Sequence, residues 1–526
     1  MNFVVLNNYG RTPTTGANTA YLSVDNWNDY SFVTLFYLTV FDGAGIKHEV
    51  GHVKIAYKGQ TTDTSTFTTL GQTFSLLTDQ YFSLGTDIEY YKNLNKLSAE
   101  LKTSLLSALQ DIVYKPEKLK EIEDEEVLNI SLFRSVTLSD VHGQFSRVLE
   151  GLAELSNYDF NFIRRGVDGF CDLKISFGVK VESVPSTNIH AFIGRNGCGK
   201  TTILNGMINA ITKPDSENYY FTEIKPYSDD SRIPNGYFRS LVSVSFSAFD
   251  PFTPPQEQPD PAKGTKYFYI GLKNRENSKE LNSLEDLRKD FISALIGCLR
   301  KDNKKSLWLD AIEKLSSDQN FENMGLSILD TRYAHLRVKH PNIQVDSDEF
   351  RDLLFHDVQS YLKRMSSGHA IVLFTITRLV DTVGEKSLVL LDEPEGHLHP
   401  PLLSAFLRTL SDLLYVKNGV AIIATHSPVV LQEIPKSCVW KVIRSREAIG
   451  VERPDIETFG ENLGVLTREV FALEIANSGY HSLLTKSVES GASFEEILDE
   501  YRGQIGLEGR TVLKAMVLSR DASKRA

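Results

Sequence analysis

The stretch Gly194-Arg195-Asn196-Gly197-Cys198-Gly199-Lys200-Thr201 has the spacing G-x4-G-K-[ST], which suits one task, the wrapping of a phosphate chain. Glycines let successive backbone N–H groups turn toward a single anion. The strand-like IHAFI leads into the loop. Ile203, Leu204, Met207, Ile208 and Ile211 follow it at helical spacing. A helix starting there adds the partial positive charge of its N-terminus. On this reading Gly194, Arg195, Asn196, Gly197, Cys198, Gly199, Lys200, Thr201 and Thr202 bind a nucleotide. Lys200 reaches the β- and γ-phosphates, and the Thr201 hydroxyl ligates Mg²⁺.

Three further stretches fit the same chemistry. SLVLLDEPEGHLHP puts apolar residues before Asp392, the pattern of a buried parallel strand ending in a carboxylate. Asp392 then holds the magnesium through water, and Glu393 points elsewhere and serves as general base for an attacking water. VAIIATHSP delivers His426 to the same sheet edge, within reach of the γ-phosphate. Met365-Ser366-Ser367-Gly368-His369 precedes the apolar AIVLFTITRLV. A small, Ser/Gly-rich helix start of this kind is a second anion cradle.

These four elements, in this order, resemble the head of ABC-type ATPases: Walker A, signature, Walker B with a catalytic Glu, and switch His. The resemblance covers roughly Cys171 to Trp440. It implies an α/β P-loop NTPase with a helical lobe, ATP and Mg²⁺ as cofactors, and a catalytic set of Lys200, Glu393 and His426. It also implies head-to-tail dimers, in which Ser366, Ser367 and Gly368 of one chain meet the γ-phosphate held by the other. His369 stands where transporter subunits usually carry Gln. No Gln directly follows the strand before Asp250, which leaves Gln256 or Gln258 as Q-loop candidates.

DEPEGHLHP and ATHSP look like the SMC/RecF/OLD-type soluble ATPases. The segment between Walker A and signature is far too short for an SMC-length coiled-coil arm. The residues after His426 contain no Asp-x-Asp pair of the kind a C-terminal TOPRIM nuclease carries. The layout is similar to the ATPase subunits of Septu-type and retron-associated anti-phage systems, which work with a separate nuclease. The resemblance therefore implies an ATPase that regulates a partner effector, with nucleic acid (DNA or RNA) as another possible partner. The alternative is a DNA-repair or chromosome-maintenance ATPase that binds DNA itself. A transporter ATPase is disfavoured by His369 and the missing Q-loop.

The elements that must position these residues divide the 526-residue chain into five segments. Residues 1–165 form an accessory region, β-rich and then helical. Residues 166–275 carry Walker A, 276–370 a helical lobe ending in the signature, 371–445 Walker B and the switch His, and 446–526 a helical tail that could bind a partner. Hydrophobic content of 41% and charged content of 24% are ordinary for a globular chain. A net charge of −11 argues against a coat of nucleic acid over the whole surface but leaves room for a local basic patch. Cys171, Cys198, Cys298 and Cys438 are scattered without a CxxC pair, which points to a reducing, cytoplasmic setting. Met1-Asn2-Phe3 opens no signal peptide, and FVTLFYLTVF is too short to span a bilayer as a helix.

Four stretches offer competing chemistry. His48-Glu49-Val50-Gly51-His52 matches the zincin pattern. Its flanks read as a hairpin strand, on which residues four apart are separated by about 13 Å, too far for one metal. PDPAKG at 259–264 loosely matches a nuclease core, but its prolines forbid the central strand that core needs. KDNKKS at 301–306 reads as a solvated helix end, and the acidic run 123–126 as a solvated face.

Overall fold

The computed structural model describes all residues except 8–11, 26, 28, 30, 152–153, 167–170, 182, 225–230, 248–251, 275–279, 446–447, 478 and 524–526. The chain forms two compact units, 1–155 and 156–526.

The first unit is built on a six-stranded sheet in the order Thr73–Phe74, Asn2–Leu6, Thr19–Val24, Leu35–Phe41, Lys47–Tyr57, Tyr81–Gly85. Its helices, including Ile88–Leu94 and Ala99–Ala108, bury Tyr90, Tyr91, Leu94, Leu105 and Leu106 with the strand residues Phe36, Leu38, Val53 and Ile55. The HEVGH stretch lies on the strand Lys47–Tyr57, as its flanks predict. Gly51 pairs with Leu38 and Glu49 with Thr39, so Val50 is the extra residue of a bulge. Gly51 takes φ +130°, which favours glycine there. The two histidines have separate carboxylate neighbours. His48 Nε2 is 3.1 Å from Asp42, and His52 Nε2 is 3.9 Å from Asp25.

Asp111 is fully buried in this unit and accepts the Val113 and Tyr114 N–H groups and the Tyr91 hydroxyl. Burial pushes its carboxyl up to about 7 against those three donors. Between about pH 4 and 7 the folded unit therefore holds a proton that the unfolded chain has released. Its contribution to stability is complete below pH 4 and is lost as pH rises through 7. The loss is on the order of 4 kcal/mol. Asp111→Asn removes it. Hydrogen exchange of the peptides around 81–113, compared at pH 4.5 and 7.5 after correction for intrinsic rates, should show the wild-type unit weakening with pH and the variant unchanged. Equal pH dependence in both would refute the assignment.

The second unit contains a seven-stranded sheet in the order Lys266–Gly271, Ser240–Ser245, Ser387–Asp392, Val420–Thr425, Ile189–Ile193, Val439–Ser445, Ala448–Glu452. All neighbours are parallel except the last pair. Both faces are covered, and this explains the uninterrupted apolar runs of its strands. Ala191, Val389, Leu391, Ala421 and Ile423 face one core, shared with the helices of the 284–434 region. Phe192, Leu388, Leu390 and Ile422 face another. That second core is shared with an antiparallel sheet of Leu173–Val179, Tyr158–Arg164, Tyr219–Glu223 and Ser231–Arg232.

Two segment boundaries differ from the sequence reading. Tyr158–Arg164 pairs with Leu173–Val179 and so belongs to the second unit, ahead of position 166. Ala448–Glu452 is the edge strand of the large sheet, so the tail after 445 begins as sheet and turns helical only at Leu463–Asn477. In both places the sequence reading cut between two strands that are neighbours in the chain and pair antiparallel with each other.

Helices fill the stretch between the strand Lys266–Gly271 and the signature. Trp308, on Asp302–Leu315, is buried and donates its indole N–H to Thr377 Oγ1 at 2.9 Å. The KDNKKS run is the start of that helix, with Lys304 paired to Asp381 and Lys305 to Asp330. Pro261–Lys263 is a single 3-10 turn capped by Asp260. Among the described residues no helix is long and apolar enough to cross a membrane.

Candidate nucleotide-binding site

Strand register brings the candidate groups to one edge. Ile193 pairs with Thr425, Asp392 with Ala424, and Ser245 with Asp392. The segments that follow these strands all leave at the carboxyl end of the parallel sheet, where open α/β folds place ligands.

The 194–201 loop then turns into the helix Lys200–Thr212, with Gly197 at φ +77° and Gly199 at φ +104°. Gly194 is packed so closely that a Cβ there would stand 2.5 Å from the Val442 carbonyl oxygen. Lys200 is buried, and its Nζ donates to the carbonyls of Gly194 at 2.9 Å and Arg195 at 3.1 Å. The ammonium thus arches back over its own loop, where a phosphate oxygen is a better acceptor than a carbonyl. Arg444 ties the loop from outside by donating to the Gly197 carbonyl at 3.1 Å. Cys198 is buried in the turn, and burial raises its thiol despite the nearby Lys200, so it is a packing residue rather than a nucleophile.

The Thr201 hydroxyl donates to the Asp392 carboxylate at 3.0 Å. A hydroxyl and a carboxylate side by side at a phosphate loop are the hard oxygen donors that Mg²⁺ prefers, so these residues fit the ion. Glu393 sits at φ +48°, ψ +55°, and its N–H is held by the Ala424 carbonyl at 2.8 Å. This left-handed turn costs about 1–2 kcal/mol for a residue with a Cβ. It separates the Glu393 side chain, 39% exposed, from the direction of Asp392.

His426 Nδ1 lies 3.7 Å from Glu393 and 3.3 Å from Glu395. Glu395 is a residue that sequence reasoning missed. Its side chain is buried, and Oε1 accepts the Thr425 hydroxyl at 2.6 Å and the His426 N–H at 2.8 Å. It therefore fixes the end of the strand that carries His426. The available signal was a second acid two positions after Glu393, in a stretch already explained by the first two.

Ser366 caps the helix Ser367–Thr382 by accepting the His369 N–H. Ser367 and Gly368 form its first turn. The hydrogen bonds of Ser366 go to His369 and not to the phosphate loop of its own chain. Gln258 bridges to Tyr267, which is in register with Leu241 near the start of the strand Ser240–Ser245. That is about 13 Å of strand away from Ser245 and the Asp392 edge, so Gln258 is removed from the phosphate loop. Residues 248–251, which include Asp250, lie outside the described residues.

Comparison with known proteins finds matches of three kinds. Residues 165–363 match a family model described as "AAA domain", and residues 356–432 one described as "AAA domain, putative AbiEii toxin, Type IV TA system". Among solved structures, similarity extends to an ATP-binding cassette of an ABC transporter, MJ1267 in its ADP conformation. It shares 14% identity over 57% of this chain and 93% of that one, with a TM-score of 0.28. A second is an SMC head bound to the C-winged helix domain of ScpA, with 12% identity, 56% and 97% coverage, and a TM-score of 0.26. Protein ea59 of Escherichia phage lambda is 66% identical over 524 residues, covering 100% of this chain and 99% of the relative. With a Walker-type phosphate loop at the edge of a doubly covered parallel sheet and this near full-length relative, the chain has a P-loop NTPase fold and belongs to the family of phage lambda protein ea59.

Proposed function

We propose that the chain binds and hydrolyses ATP in a head-to-tail dimer, and that the closing and opening of the dimer regulates a partner effector, most simply a nuclease, in phage defence. The observation that supports this is the meeting of Lys200, Thr201, Asp392, Glu393 and His426 at one sheet edge, while the Ser366 hydroxyl bonds to His369 of its own helix and not to its own phosphate loop. Such a site is completed by a second chain. Lys200 exchanges its loop carbonyls for β- and γ-phosphate oxygens. Thr201 and Asp392 would hold Mg²⁺, which would supply neutralisation of phosphate charge. Glu393 takes the proton of the attacking water, the P–O bond to the β-phosphate breaks, and ADP and phosphate leave. His426, fixed by Glu395, donates to the transferring phosphoryl oxygen. The phage origin of the relative ea59 supports a role in phage defence.

Sedimentation with ATP and Mg²⁺ should convert the single chain to a dimer, and the product of an adjacent effector gene should co-purify with it. A chain that stays single at saturating ATP would refute the dimer. A second reading, direct DNA binding, is favoured by a cleft of about 720 Å³ at the amino ends of the same strands, lined by Arg239, Lys266 and Lys301 among other residues. DNA binding by the isolated chain that is lost at high salt would support that reading instead.

A further inference from the structure

Asp318 joins three stretches that are far apart in sequence. It lies just before the short helix Gln319–Glu322 and is buried, with its Oδ1 accepting the Phe321 N–H at 3.0 Å. The same oxygen lies 3.2 Å from His369 Nε2, in the first turn of the signature helix. Its other oxygen lies 3.0 Å from His399 Nε2, directly ahead of the helix Pro400–Val416 and a few residues after Asp392 and Glu393. His369 Nδ1 is 2.6 Å from the Ser366 hydroxyl. Among the described residues, the titratable groups against His369 are Asp318 and His399, and the Phe321 ring covers it at 6.0 Å. Burial raises the Asp318 carboxyl, but the Phe321 N–H and the two imidazoles outweigh it and hold the carboxyl below its usual value.

We infer that Asp318, His369 and His399 are positioning residues that set the Ser366 hydroxyl and tie the start of the signature helix to the turn after Asp392 and Glu393. The inference rests on the dimer reading above, and it adds the means by which one chain's acidic turn is coupled to the signature it offers its partner.

The hydrogen-bond inventory agrees with that role. An ionised carboxylate only accepts, so both Nε2 atoms donate to Asp318. With Nε2 held there, the His369 ring is fixed with Nδ1 against the Ser366 hydroxyl, which sets the direction of that hydroxyl at the start of the signature helix.

The test uses the full chain carrying Glu393→Gln, with ATP and Mg²⁺, and measures self-association by sedimentation. Fluorescent-ATP binding to the single chain serves as the check on folding. Adding Asp318→Asn should weaken association at least tenfold, with nucleotide binding to the single chain retained. His399→Asn changes a half-exposed ring and so guards against misfolding. It should weaken association in the same direction, again with nucleotide binding retained. If both variants associate as tightly as the parent, the positioning role is wrong and the dimer reading stands. If the parent fails to associate, the dimer reading falls and the inference with it. Labelling of Ser366 by a fluorophosphonate would also overturn it, because it would make the serine a nucleophile in a Ser–His–Asp array.

Discussion

Glu393→Gln should lower the rate of ATP hydrolysis at least about 100-fold, since general-base catalysis contributes roughly 10²–10⁴. Binding should be spared. Lys200, Thr201 and Asp392 are untouched, and the amide keeps the size of the acid and loses only the charge that takes up the water's proton. The chain should therefore accumulate with ATP bound, in the associated form. Single-turnover hydrolysis measured beside sedimentation separates the two effects. The left-handed turn at Glu393 makes the test local, because Gln tolerates that turn about as well as Glu and the Ala424 carbonyl still holds its N–H. A variant that hydrolyses ATP at the wild-type rate would remove Glu393 from the role of base. The neighbouring Glu395 is not placed to replace it, because its side chain is buried and its Oε1 holds Thr425 and His426.

Asp29→Ala should cost the first unit about 3–5 kcal/mol, the range for breaking a buried ion pair from one side. The carboxylate is 1% exposed and receives Lys54 at 2.6 Å, Arg134 at 2.5 Å, the Ser131 hydroxyl at 3.2 Å and the Trp27 indole at 3.1 Å. Lys54 is buried too, and donates to the Ser131 carbonyl. Removing Asp29 leaves an ammonium inside the unit with one neutral partner. Asp29→Ala with Lys54→Met should recover most of the loss, because the pair is then replaced by apolar atoms of similar volume. Urea unfolding of both variants measures this, and a single variant within about 1 kcal/mol of wild type would refute it. The pH dependence runs opposite to that of Asp111. Burial raises the Asp29 carboxyl, and Lys54 and Arg134 lower it further than burial lifts it, so the net shift is downward. Its contribution is present above the ordinary carboxylate value and is lost as pH falls through the lowered one.

The two groups differ in how legible they were. Asp29 lies in NWNDY, which reads as turn punctuation, and nothing within that window names Lys54 or Arg134 as partners. Glu393 is legible because its neighbours in sequence already specify an apolar strand and an acid at its end.

The sequence by itself determined what is local. Glycine spacing set the phosphate loop, with Lys200 and Thr201 at its helical end. Apolar runs set the strands that end at Asp392 and at Thr425, next to His426. The extended rise of the strand around Gly51 separated His48 from His52. The tertiary structure decided which distant groups meet. Thr201 reaches Asp392 across 191 residues, Glu395 holds His426, and Asp318 takes both His369 and His399. It also decided that the sheet continues through Ala448–Glu452 and that Glu393 turns left-handed. The reason is physical. A motif of eight residues carries its own backbone geometry and charge, whereas a hydrogen bond between elements depends on strand order and register, which are set by burying both faces of the whole sheet at once.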